Sequence, residues 1–212
     1  MKNNRLNIIA GALWLAIALA CACSTPSAPE FNIEPAYLSD VSKGWSLFTQ
    51  GNYALAATSF RSAVSRDVLQ DHFEAHIGLG WAMAMQDSLQ KAVLNFDLAL
   101  ARAPEDSRDS VNILSGLSFV YRDLNPPDYQ KVRDDALAVL EKDPSFVFAY
   151  RTSINSQDIN AVLAEAYFNL GQYEEAAAIA DPTGTLDPTD TDYNQQLLSK
   201  INQMLTISRE GV

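Results

Sequence analysis

Beyond Cys23 the 212-residue sequence contains no cysteine, so its folded part carries neither a disulfide framework nor a thiolate metal site. Histidine is almost as scarce. His72 and His76 are the whole supply and share one short stretch, so no Ser-His-Asp grouping can be assembled along the chain. Basic residues are outnumbered, 15 Lys and Arg against 26 Asp and Glu for a formal net charge of −11, and they form no run or stripe. Holding phosphates requires such a stripe, which makes nucleic acid a poor candidate partner. The same negative surface disfavours docking on anionic lipid through the face of the domain. Long apolar runs are missing too: residues 8–20, interrupted by Gly11, fall short of the roughly 20 residues that a membrane helix needs.

That short run is informative through its setting. Lys2 and Arg5 precede it, and small residues lead out of it into Ala20-Cys21-Ala22-Cys23-Ser24. A charged start, an apolar middle and a small-residue exit describe a processed secretion leader. Small residues directly before a cysteine make this leader resemble the signal of bacterial lipoproteins, in which the cysteine becomes the lipidated first residue of the mature chain. Either Cys21 or Cys23 fits, and Cys23 is favoured because Ser24-Thr25 begins a polar tether. The plain alternative is an ordinary cleaved leader with two incidental cysteines. The resemblance implies a signal over residues 1–23 and a spacer over 24–36, whose Pro26, Pro29 and Pro35 prevent regular helix. It also implies a lipid-anchored protein of the cell envelope, on the periplasmic face of the outer membrane. Two acyl chains would hold it, since burial yields ~0.8 kcal/mol per methylene and one chain alone is marginal. Removal of Lys2 and Arg5 with the leader would take the net charge to −13.

The rest of the chain is long enough for one domain with a substantial core, and it is organised around residues 73–104. Gly80, Ala92, Phe96, Ala99 and Pro104 stand at offsets 0, 12, 16, 19 and 24. Leu79, Met83, Leu89 and Val93 fill apolar positions between them. A small residue at a helix crossing, an aromatic one turn on from a second and a closing proline describe a helix-turn-helix that cannot bury its apolar faces alone. From Gly44 the same spacing meets Ala56, Phe60 and Ala63, and from Ala164 it meets Ala176, Ala180 and Pro188. From Gly116 it meets Val132, Ala136, Val139 and Pro144 once four residues are added in a turn containing Asn125-Pro126-Pro127-Asp128. On these positions the chain resembles the tetratricopeptide repeat family. The resemblance implies an all-α, right-handed α-solenoid of about four helix-turn-helix units, at about 37–70, 73–106, 109–145 and 157–188, with a capping helix over 189–208. The first helix is expected from Tyr37 with Ser39 or Asp40 as its cap. Residues 146–156 fall outside the spacing. Phe146, Phe148 and Tyr150 alternate there with small or polar residues, which fits either a short helix begun at Pro144-Ser145 or an extended segment crossing the array.

Transferred position by position, the family's groove residues include Trp45, Phe48, Trp81, Met85, Tyr121 and Phe168. That set is apolar and lacks the lysine, arginine and asparagine by which some members grip a terminal carboxylate. Such a trough would take a hydrophobic segment of another envelope protein, or the chain's own tether or terminal helix. The competing reading for the tryptophans is core packing beside Gly44 and Gly80. No catalytic residue, metal site or cofactor is expected. His72, Glu74 and His76 lack a further ligand at matched spacing, and the acids Asp106, Asp109, Asp134 and Asp135 sit where helix starts would use them. The expected function is a membrane-anchored, non-catalytic scaffold for protein interaction. The alternative is a small-molecule or glycan binder stacking its ligand on Trp45, Trp81 and Tyr121.

Overall fold

The computed structural model describes residues 35–210, with side chains through residue 206. The expected leader, the lipidation candidates Cys21 and Cys23 and residues 24–34 of the tether lie outside the described residues. Four helix pairs follow one another: α1 (Pro35–Thr49) with α2 (Tyr53–Arg66), α3 (Glu74–Ala84) with α4 (Leu89–Leu100), α5 (Arg108–Asp123) with α6 (Tyr129–Lys142), and α7 (Ser156–Asn169) with α8 (Tyr173–Ala180). A ninth helix, α9 (Tyr193–Glu210), closes the array.

The helix boundaries follow local chemistry. Pro35, with its fixed φ and missing N–H, opens α1, so Ser39 and Asp40 lie inside the helix rather than capping it. Asp40 instead accepts hydrogen bonds from Ser62 Oγ at 2.7 Å and Arg66 Nε at 2.8 Å across the α1–α2 pair, which holds its carboxyl below the ordinary value. Three of the four turns share one geometry. Gly51, Asp87 and Gly171 each take a positive φ, at 76°, 56° and 75°. The next amide then closes back on the preceding helix, Asn52 to Leu47 O, Ser88 to Met83 O and Gln172 to Tyr167 O, each at 2.9 Å. Asp87 occupies a conformation that suits glycine, which an aspartate tolerates better than most residues. Asn155 and Asp158 start α7 with a reciprocal capping box.

Packing between pairs rests on aromatic rings set against backbone. The ring of Phe60 on α2 lies between Gly44 of α1 and Gly78 of α3, and the ring of Phe96 on α4 lies between Gly80 of α3 and Gly116 of α5. A Cβ at any of the four glycines would come closer than 3.0 Å to the ring it faces. Trp45 and Trp81 then meet Phe60 and Phe96 edge-on, with centroids 4.9 Å and 5.8 Å apart. The second helices of repeats three and four present no such ring, and the fully buried Val132, Ala136, Ala164 and Ala176 pack there instead.

Each second helix contacts the first helix of the next pair, and the first helices α1, α3, α5 and α7 contact one another in series. Successive second helices make no such contact among the described residues. The first helices are therefore the more closely spaced layer and form the inner face of the stack. α3 is buried over most of its surface, Ile77 to Met83 forming an unbroken buried run. α9 buries Leu197, Ile201 and Leu205 and packs on α7 and α8. The loop before it is tied down by the buried Asp181, which accepts from Thr185 Oγ1, Leu186 N and Lys200 Nζ at 2.7, 2.8 and 2.9 Å. Those three donors hold its carboxyl well below the ordinary carboxylate range.

The clasp on Phe60 makes Gly78 sensitive to one added methyl group. Gly78→Ala should lower the urea unfolding free energy by about 1–3 kcal/mol, the usual cost of overpacking. Combined with Phe60→Leu, the loss should be smaller than the sum of the two single losses, because the shortened side chain makes room for the methyl group.

Candidate functional site: an inner face divided by the chain's own insert

Residues 144–155 are neither helix nor regular strand. They form a closed loop in which Phe148 N donates to Ile154 O and Ile154 N to Arg151 O, both at 2.9 Å, and Ser156 N to Phe146 O at 2.8 Å. One isolated antiparallel bridge joins Val147 and Asn155. Neither the short helix that Pro144-Ser145 could have begun nor a continuous extended segment forms: turns at 149–150 and 152–153 fold the chain back on itself, and the alternating aromatics are carried by that loop.

The loop crosses the inner face from repeat three to repeat one. Phe148 is fully buried, stacked on Trp81 with centroids 4.4 Å apart and 23° between planes, and edge-on to Trp45 and Phe48. Tyr150 lies flat on Trp45 at 3.7 Å and 4°. Arg151 Nη1 donates to Tyr53 OH at 2.6 Å and lies 3.4 Å from Met85 Sδ, while Arg108 Nη2 donates to Val147 O. Trp45, Phe48 and Trp81 thus form no open trough. Leaving three large apolar side chains in water would forfeit about 1.5–3 kcal/mol each, and the chain covers them with its own aromatics.

The crossing leaves a pocket on either flank. Over the N-terminal halves of the first helices lies a pocket of about 330 Å³, lined by Leu38, Val41, Ser42 and Trp45 of α1, Glu74 and Ile77 of α3, Asp109 and Asn112 of α5, and Tyr150. Over the C-terminal halves lies one of about 250 Å³, lined by Trp81, Ala84, Met85, Leu89, Phe119 and Val120, with Ile154 from the insert, Asp158 and Leu205, and Arg122 and Asp123 beside them. Trp81 Nε1 is buried and finds no acceptor. Arg122 is taken by Asp123, through Nε at 2.8 Å and Nη2 at 3.2 Å, so this second pocket carries no free positive charge of its own.

Of the six residues assigned to a groove from sequence, Trp45 lines one pocket, and Trp81 and Met85 line the other. Phe48 is buried beneath Phe148 and Tyr53. Tyr121 does not join them: it meets α6, where Lys131 Nζ sits 4.5 Å above its ring and 3.5 Å from its hydroxyl. Phe168 packs edge-on with Tyr173 at the α7–α8 turn and lines neither pocket. His72 and His76 are not brought together. His76 Nδ1 lies 3.0 Å from Asn95 Oδ1, and Glu74 accepts the hydroxyl of Tyr37 at 3.1 Å. His72 instead shares a partly exposed cluster with Asp67 and Asp71, whose candidate ligand atoms lie within 4.8 Å of one another. The sequence reading missed Tyr150, Arg151, Asn112 and Leu205. The available signal was three alternating aromatics where a repeat array requires no linker.

Two tetratricopeptide repeat models match the sequence, over residues 41–107 and 130–201. Among solved structures, a tetratricopeptide repeat protein from Parabacteroides merdae is 17% identical with a TM-score of 0.54, over 83% of this chain and 64% of its own. The chain therefore spans somewhat less than two thirds of that protein. MamA AMB-1 is 17% identical with a TM-score of 0.55, over 82% of this chain and 89% of its own. A Podosopora anserina structure of nearly identical TPR-like repeats is 14% identical with a TM-score of 0.57, over 84% of this chain and 96% of its own. At these identities the likeness is one of fold. No curated protein matches the chain.

The surroundings of Tyr121 generate a pH dependence. Burial, and then the charges of Asp134 and Asp97, push the Asp135 carboxyl up to about 7, with Lys131 opposing, and its Oδ2 has no hydrogen-bond partner. A carboxyl raised in the folded state binds a proton that the unfolded chain gives up, so stability falls as pH rises from about 4 to about 7. Asp135→Asn should therefore stabilise the protein by about 1–3 kcal/mol at about pH 8 and hardly at all at about pH 4, measured by chemical denaturation at both.

Proposed function

Because the chain belongs to the tetratricopeptide repeat family, we propose that it is a non-catalytic protein-interaction scaffold, held in the bacterial cell envelope by a lipid on Cys23 or Cys21. The periplasmic face of the outer membrane is the address that such a leader suggests. Support for the scaffold comes from the pocket over the C-terminal halves of α3 and α5. It is concave and mainly apolar, and its walls come from three repeats, the insert and α9. One buried donor, Trp81 Nε1, is left over. An apolar side chain of a partner segment would fill it, with a backbone carbonyl of that segment accepting from the indole.

Stacking of a sugar or flat ligand on the tryptophans is the weaker reading. The face of Trp45 is occupied by Tyr150, that of Trp81 by Phe148, and Tyr121 lies under Lys131.

A photo-crosslinking amino acid at position 89, in the intact protein within its own membranes, tests the proposal. We expect a discrete protein adduct that Phe119→Glu abolishes while helix content by circular dichroism is retained. An adduct that persists in Phe119→Glu, or reaction with lipid and solvent alone, would count against docking at this pocket.

A further inference from the structure

The pocket over the N-terminal halves of α1, α3 and α5 differs from its neighbour in charge and in what it leaves unpaired. Its lining holds two carboxylates, Glu74 and Asp109, and no lysine, arginine or histidine. Glu74 is engaged by Tyr37 OH and by Phe73 N at 3.2 Å. Asp109 takes part in no hydrogen bond or ion pair among the described residues. Burial, and the charge of Glu74, push its carboxyl up, as expected of a half-buried acid with no counter-charge in the pocket lining. One turn further along α5, Asn112 is 6% exposed and its Oδ1 has no donor. Leaving such an acceptor buried and unmatched forfeits the hydration it would have in water. The Trp45–Tyr150 stack lines the same pocket, and burial, then the charge of Asp109, push the Tyr150 phenol up.

Each feature selects against most occupants. An anion would meet two carboxylates. An apolar side chain would leave Asp109 and Asn112 Oδ1 as they are. Helix starts do favour acids in the first turn, which accounts for Glu74 and Asp109 taken singly, but that role asks nothing of Asn112 in the second turn, nor of the aromatic wall. A volume of about 330 Å³ lies within the roughly 300–1,000 Å³ usual for ligand pockets.

We propose that this pocket receives an arginine side chain of the partner polypeptide, its guanidinium donating to the Asp109 carboxylate and Asn112 Oδ1 and its stem lying along Trp45 and Tyr150. The planar fork supplies several donors in fixed directions and packs on aromatic rings, whereas a lysine ammonium is a compact point charge. The assignment rests on the scaffold reading for its source, since the arginine is taken to arrive within a polypeptide.

The test is a titration of the full-length, isotope-labelled protein in detergent with N-acetyl-arginine amide, followed by nuclear magnetic resonance at Asp109, Asn112 and the Trp45 indole. The neutral isostere N-acetyl-citrulline amide serves as the comparison. We expect saturable shifts at these three residues with a dissociation constant on the order of 1–10 mM, and about fivefold or greater weakening with citrulline or with Asp109→Asn. Equal response to citrulline, or no saturation at these residues, would overturn the proposal using the unmodified protein alone. Failure here with the position-89 adduct intact removes the arginine and leaves the scaffold. Saturation here without that adduct keeps a cation site and removes the polypeptide as its source.

Discussion

Phe148 is the side chain on which the inner face depends. It comes from outside the repeating units, is fully buried, and contacts Trp81, Trp45 and Phe48 at once. The first helices of repeats one and two present so much apolar surface on their inner side that water is a poor neighbour for it. The glycine clasps on Phe60 and Phe96 draw successive pairs close together, which brings Trp45 and Trp81 within reach of a single aromatic bridge. Spacing set by backbone-to-ring contact and closure by one inserted loop are thus two consequences of the same crowded packing.

That closure changes what the array can do. A repeat protein with a continuous inner groove can lay an extended segment along several units. Here the loop crosses between the N-terminal and C-terminal halves of the first helices, and two separate pockets remain. Their chemistry is distinct: one is acidic with an unmatched amide oxygen, the other apolar with an unmatched indole N–H. A partner that engaged both would have to span the insert, so recognition would depend on two anchors and the distance between them. Arg151, bonded to Tyr53 and close to Met85, fixes the loop against repeats one and two and so holds that distance.

Much of this was legible from residue spacing. Gly44, Gly80 and Gly116 with Phe60 and Phe96 gave the repeat register, and the structure shows why those pairs recur: each ring needs a missing Cβ on either side. Gly78 escaped notice because it belongs to the neighbouring repeat's contact and not to its own unit's spacing. The groove was harder to read. Assignment by family position placed Tyr121 and Phe168 with the tryptophans, but the side chains of Tyr121 and Lys131 meet in the α5–α6 interface, and Phe168 turns to Tyr173. Position along a helix does not fix which neighbour a side chain chooses. The insert was visible as an anomaly at Phe146, Phe148 and Tyr150, yet its destination depended on contacts across 98 residues of chain, from Arg151 to Tyr53, for which local periodicity carries no signal.

Hydrogen exchange at the amides of Phe148, Ile154 and Ser156 examines the closure most directly, since each donates within the loop. If the loop is a permanent part of the core, these amides exchange only through global unfolding and their protection matches that of α3. Exchange at the pace of an exposed loop, with α3 still protected, would show the inner face open and contradict the division into two pockets.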